Sequence, residues 1–244
     1  MTRKIKGAIK FTARTTYPAN PEEGMMFYNS NSSSLNIYDG TGWQSTIRDI
    51  TEYDEMDDTT VDSTKWTEDT STALGGSASI AEEAADYISL TTANSATQNS
   101  YGEASVTTKQ SYKGKNAAMG FAYRNASTNN NHDGNSISSI QITDGEYNTS
   151  TIYTHSLSSG DIQNMMVGVT GFLEWSGDVC KLKYIAEGQK GDHFSNEYFS
   201  SSESSTSDCS TWTNVYLNFK CRCTNTNTYS PAMTSVAKVR LLTN

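Results

Sequence analysis

The strongest constraint on the fold is a period of two, repeated over many short lengths. The best strand-like segments are 86–92, 101–109, 117–124, 137–143, 150–155, 165–175, 178–186, 212–223 and 233–242, separated by turn clusters. Alternation puts successive side chains on opposite faces of an extended chain, so each segment can bury one face and wet the other. Close-set turns favour strands that return antiparallel over strands joined by helices. No long amphipathic helix is evident. Ser79 to Ala85 reads as a helical turn, and 125–135 and 200–210 read as exposed polar loops. The expectation is an all-β chain: an antiparallel β-sandwich over 49–244, preceded over 1–48 by a short N-terminal arm and a β-hairpin.

Composition agrees. Charged residues make up only 18% of the 244, and Ser, Thr and Asn fill the gap, which suits strands and turns better than helix. The 14 Tyr, 7 Phe and 4 Trp supply more area for burial than a disordered chain carries. Net charge is −9, which argues against nonspecific nucleic-acid binding. No apolar run approaches the roughly 20 residues of a membrane span, and no apolar core follows the basic N-terminus, so a soluble protein without a signal peptide is expected. Arg3, Lys4, Lys6, Lys10 and Arg14 make the first stretch basic, as a solvated tail or as an arm for an acidic partner.

Four cysteines are present, Cys180, Cys209, Cys221 and Cys223. The last two alternate on one strand and so share a face, about 6.6 Å apart, the upper limit for a disulfide. A pairing with Cys209 is conceivable. Reduced, buried thiols fit a chain made in a cytoplasm.

Near the N-terminus, Tyr17, Pro18 and Pro21 stiffen the backbone before a turn at Gly24. Met25 to Tyr28 and Leu35 to Tyr38 read as two strands, and Asp39 and Gly40 as a turn ending on Trp43. A lone hairpin is marginal in water, so this one must pack on something. Residues 17–43 resemble a short module of bacteriophage tail fibres and other virion proteins. Pro18, Pro21, Gly24, Phe27, Tyr28, Asn29, Leu35, Tyr38, Asp39, Gly40 and Trp43 carry the resemblance. It implies a virion fibre, appendage or capsid-decoration protein, often trimeric, attached to other virion proteins through its N-terminal segment, residues 1–48. Residues 50–244 more loosely resemble the concanavalin-A-like lectin and glucanase jelly roll. The fragments are Asp57 to Trp66, Tyr101 to Val106, Phe172 to Val179, and Val236 to Arg240.

Glucanases of that family carry a Glu-x-Asp-x-x-Glu strand, with one carboxylate as nucleophile and another as acid. The nearest run here is Gln141 to Glu146, with Gln at the nucleophile position and Thr143 at the central one. An amide forms no glycosyl ester, so the expectation is not an enzyme. No Gly-x-Ser-x-Gly, phosphate loop or His-Glu-x-x-His occurs, and His132, His155 and His193 read as surface histidines. Sandwiches of this kind often bind sugars on aromatic faces. Tyr123, Tyr153, Trp175 and Tyr184 are candidates, with burial in the core as the alternative. No cofactor is expected. Calcium is a weak candidate at Asp54, Asp57, Asp58 and Asp62, where carboxylates are dense but lack the spacing of a calcium loop; a solvated turn is the other reading.

Three functions therefore stand at this point. The first is a structural virion protein made in the host cytoplasm, with a trimer favoured, displaying a sandwich for which host-surface glycans are candidate partners. The second is a secreted or surface glycan-binding, lectin-like module. The third is a laminarinase-like hydrolase.

Overall fold

The computed structural model describes residues 13–14, 16, 18–29, 34–38, 40–45, 51–55, 59–83, 87–127, 134–157, 166–191, 196–226 and 233–243. They fall into two compact units, one ending at Thr51 and one running from Glu52 to Thr243.

The first unit is a small sheet in the order β1 (Ala13–Arg14), β2 (Met26–Asn29), β3 (Ser34–Tyr38) and β4 (Trp43–Ser45). β1 lies parallel to β2, and the other pairings are antiparallel. The hairpin read from sequence is therefore present. Trp43 does not end it but opens a third strand opposite Tyr38. Gly24, with φ 81°, makes the entry turn and donates its amide to the Tyr38 carbonyl at 2.7 Å. Pro18 and Pro21 are half-buried in the lead. Tyr17, Asp39 and the arm residues Arg3, Lys4, Lys6 and Lys10 lie outside the described residues.

The second unit is an antiparallel sandwich, whose large sheet also takes in the short β5 (Thr51–Glu52), paired off its main path with β17 (Met233–Thr243). Its large sheet contains β7 (Ser77–Glu83), β8 (Tyr87–Ala93), β10 (Ala117–Ser127), β13 (Met166–Ser176), β14 (Val179–Gly191), β15 (Asn196–Asp208) and β17 (Met233–Thr243). Their order is β15-β14-β13-β10-β17-β8-β7. Its small sheet contains β6 (Trp66–Ala73), β9 (Tyr101–Thr108), β11 (Gly134–Thr143), β12 (Thr149–Leu157) and β16 (Tyr216–Asn225), in the order β12-β11-β16-β9-β6. The chain passes repeatedly from one sheet to the other, and its last two strands enter the middle of both. β16 lies between β11 and β9, and β17 between β10 and β8.

Alternation decides which way each strand faces. On β16, Leu217, Phe219, Cys221 and Cys223 point inward and are fully buried, while Tyr216, Asn218, Lys220, Arg222 and Thr224 are half-buried on the outer face. Each such apolar side chain removed from water contributes about 1.5–3 kcal/mol. Trp66, Ile88, Leu90, Phe121 and Ile140 belong to the same core between the sheets. All four cysteines are unbridged and buried. Burial pushes the Cys221 and Cys223 thiols up to about 11.

Three readings are corrected. Ser79 to Glu83 form no helical turn; that stretch belongs to β7, hydrogen-bonded along β8. The 200–210 run is not a loop, because Ser200 to Asp208 belong to the long β15 paired with β14. Of 125–135, residues 125–127 extend β10 and 134–135 open β11, and the rest lies outside the described residues. Serine is tolerated in strands when the ladder partner supplies the order that its own propensity does not.

Candidate functional site

The outer face of the small sheet carries a polar groove of about 670 Å³. Its floor comes from the outward members of two central strands: Glu103, Ser105 and Thr107 of β9, and Tyr216, Asn218 and Lys220 of β16. Thr67 and Asp69 of the edge strand β6 form one side. Gln141 and Thr143 of β11, with the turn Asp144–Glu146, form the other. Period-two patterning assembles this surface, since each strand that buries its apolar set must present its polar set here.

Neighbouring side chains hold these groups in place. Lys220 Nζ lies 2.7 Å from one Glu103 oxygen, and the Arg222 guanidinium is 3.5 Å from the other. The same guanidinium stacks 4.7 Å from the Tyr101 ring centre. The Asn218 amide donates to Thr107 Oγ1 at 2.7 Å, and that of Gln141 to Thr151 Oγ1 at 3.2 Å. The groove thus offers carboxylates, amides, hydroxyls and an ammonium in fixed positions, a set suited to a ligand rich in hydroxyl groups.

The turn at the rim is tightly organised. Asp144 Oδ1 accepts the backbone amides of Glu146, Tyr147 and Asn148 at 2.9, 3.0 and 3.0 Å. Its Oδ2 accepts the Asn148 side-chain amide at 2.6 Å. These donors, the Glu146 amide foremost, hold the Asp144 carboxyl down at about 2. Gly145 takes φ 85°, and a Cβ there would lie 2.9 Å from the Tyr216 ring, so glycine is needed for conformation and for room.

The Gln141–Glu146 run read against the glucanase motif therefore sits on this groove. Gln141 and Thr143 face it where that motif has acids. The aromatic candidates lie elsewhere. Tyr123 is 2% exposed and donates its hydroxyl to Ser136 between the sheets. Tyr153 is 6% exposed and meets Tyr184 edge-on at 5.0 Å. A sugar ring has no access to Tyr123 or Tyr153, which corrects that assignment: both are core. Trp175 is half-buried, its indole donating to the Lys115 carbonyl at 2.9 Å, and Tyr184 packs partly against the core. His155 lies half-buried beside Tyr123, and His132 and His193 are outside the described residues.

Of the four calcium candidates, the two described ones, Asp54 and Asp62, are engaged by side chains and backbone. Asp54 is buried, 2.9 Å from Lys65 Nζ, and accepts the Trp66 indole N–H at 2.9 Å. Asp62 accepts the amide and hydroxyl of Thr64 and lies 3.6 Å from the same ammonium. An ammonium shared by two carboxylates repels a divalent ion from them. Asp57 and Asp58 lie outside the described residues, and among the described residues no group of three His, Cys, Asp or Glu is placed to hold a metal.

Sequence reasoning missed Asp69, Glu103, Asn218 and Lys220. They are far apart in the chain and meet only through strand pairing. The signal available was the polar half of each alternating segment.

No family model and no curated protein matches this chain. Its sandwich is similar to several solved structures. A glycoside hydrolase family protein from Mycobacterium thermorestibile is 8% identical, with a TM-score of 0.42, over 77% of this chain and 98% of that one. Peanut lectin bound to a nine-residue peptide is 9% identical, with a TM-score of 0.41, over 73% and 98%. Lectin I-B4 from Griffonia simplicifolia in its metal-free form is 10% identical, with a TM-score of 0.38, over 80% and 99%. The all-β antiparallel sandwich itself rests on the strand pairing of this chain.

Proposed function

We propose that this protein is a glycan-binding, lectin-like module that holds its ligand in the groove of the small sheet without hydrolysing it. The observation that carries the reading is the groove itself: hydrogen-bonding side chains from β6, β9, β11 and β16 converge on one concave surface. Amides and carboxylates of this kind hold sugar hydroxyls through paired donors and acceptors. At the two motif positions where the glucanase strand carries acids, Gln141 and Thr143 supply no carboxylate, which favours binding over bond cleavage. A glycan array probed with the full chain should give a defined set of ligands. Asn218→Ala and Gln141→Ala should weaken them with an unchanged melting curve. An array without ligands, or release of reducing sugar, rejects the proposal.

A second reading concerns where the module is displayed. The compact sheet formed by the residues up to Thr51 favours an attachment segment. The resemblance of residues 17–43 to virion fibre modules is what motivates a trimer anchored to other virion proteins. Light scattering on the full chain tests the trimer, and a monomer would remove it.

A further inference from the structure

One large aromatic stands apart from the core. Tyr147 is 93% exposed, the highest value among the exposed large hydrophobics of the described residues. It belongs to the turn between β11 and β12, one residue from Glu146 and two from Thr149, both of which line the groove. Single exposed apolar residues are common and by themselves signify nothing. This one is different in how it is held. The three amides on Asp144, among them that of Tyr147, fix the backbone that carries the ring. A ring presented on a fixed backbone loses less freedom when something stacks on it.

The charges around the groove narrow the ligand class. Asp69, Glu103, Asp144 and Glu146 line it as carboxylates, against Lys109 and Lys220 as ammonium groups. Lys220 is already paired with Glu103 at 2.7 Å. A polyanionic chain would enter a field of its own sign, whereas a neutral one would not.

Resting on the glycan-binding reading above, we propose that Tyr147 is the stacking platform at the rim of this groove and that the groove selects neutral over anionic polysaccharides. One pyranose ring lies on the exposed tyrosine face, and the units beyond it present their hydroxyls to Asn218, Gln141 and Glu103.

The test is titration calorimetry and proton NMR on the full chain. The neutral probes are cellohexaose, laminarihexaose and maltohexaose, and the anionic probe is hexagalacturonate. At least one neutral hexamer should bind, with its ring protons shifted upfield by the aromatic current. Tyr147→Ala should weaken it by roughly tenfold or more and abolish the upfield shift, while Tyr147→Phe and Tyr147→Trp retain both. Hexagalacturonate should bind at least tenfold more weakly. If Asn218→Ala loses affinity while Tyr147→Ala does not, the groove binds sugar and the platform is wrong. Equal or tighter binding of hexagalacturonate overturns the selectivity. If no hexamer binds the native protein while the glycan array gives ligands, this proposal alone falls; if the array is empty as well, the glycan reading falls with it.

Discussion

Asp54 joins the two ends of a short sequence run. Its carboxylate accepts the indole N–H of the buried Trp66 and the ammonium of Lys65, while Tyr53 packs edge-on against that indole at 5.1 Å. Removing the acid leaves a buried donor without an acceptor and an ammonium short of a partner. Asp54→Ala should therefore cost about 2–3 kcal/mol, and Asp54→Asn, which keeps an acceptor, about half as much. Urea denaturation measures both, and equal losses would contradict the account. Asp144 makes a prediction of the opposite kind, because it is exposed. Its folded pKa, about 2, lies below the ordinary 3.8. A lowered carboxylate pKa contributes order to the turn that is complete above about pH 4 and is lost as pH falls through 2. Carboxyl-carbon NMR should find the Asp144 midpoint near 2, and the turn should be unchanged between pH 5 and 8. A midpoint near 4 would mean that the amides are not held.

At the next scale, elements are legible in the sequence where one face is buried. The expected 101–109, 137–143 and 178–186 correspond to β9, β11 and β14, because each buries an apolar pair on one face, Ala104 and Val106, Ile140 and Ile142, Cys180 and Leu182, although Ile137 and Ile185 stay exposed on the other. β6 is not legible, since it is an edge strand whose side chains are mostly exposed after Trp66, so no alternation is imposed on it. β7 reads as a helical turn because its Ala and Glu residues suit helix, and pairing with β8 overrides that preference. The groove shows the same divide. Its β11 edge can be read from one contiguous run, but its floor depends on the register between β9 and β16, which no local pattern encodes. Where β6 turns into β7 the chain crosses between sheets, and two backbones come very close. A Cβ on Gly102 would lie 1.9 Å from the Ser77 carbonyl oxygen, and one on Gly76 would lie 2.0 Å from that of Tyr101. Gly102→Ala should cost roughly 3 kcal/mol or prevent folding, since backbone must move. Gly177→Ala, in open space with φ 60°, should cost only about 1 kcal/mol. Comparable losses at the two sites, read from unfolding midpoints, would mean that the crossing is looser than described.

For the whole molecule, the chain divides near Thr51 into two units, so the proposed attachment and the proposed glycan binding can be tested apart. A chain starting near Ile50 should keep the β-rich circular dichroism of the sandwich and its glycan affinity but lose any oligomeric state seen in the full chain. Retention of that state would assign assembly to the sandwich. The placement of β16 and β17 also has a consequence for synthesis. The strands they separate, β8 from β10 and β9 from β11, are made early, yet neither sheet can close before residues 216–243 leave the ribosome. From Ala93 to Met233 lie roughly 140 residues, or about 7–28 s at ordinary elongation rates of about 5–20 residues per second. Over that interval the nascent chain accumulates up to four half-sheets with open inner edges, which other chains could pair with as readily as β16 and β17 later do. The yield of native protein should thus depend on translation speed and on the chaperones that shield those edges during the wait.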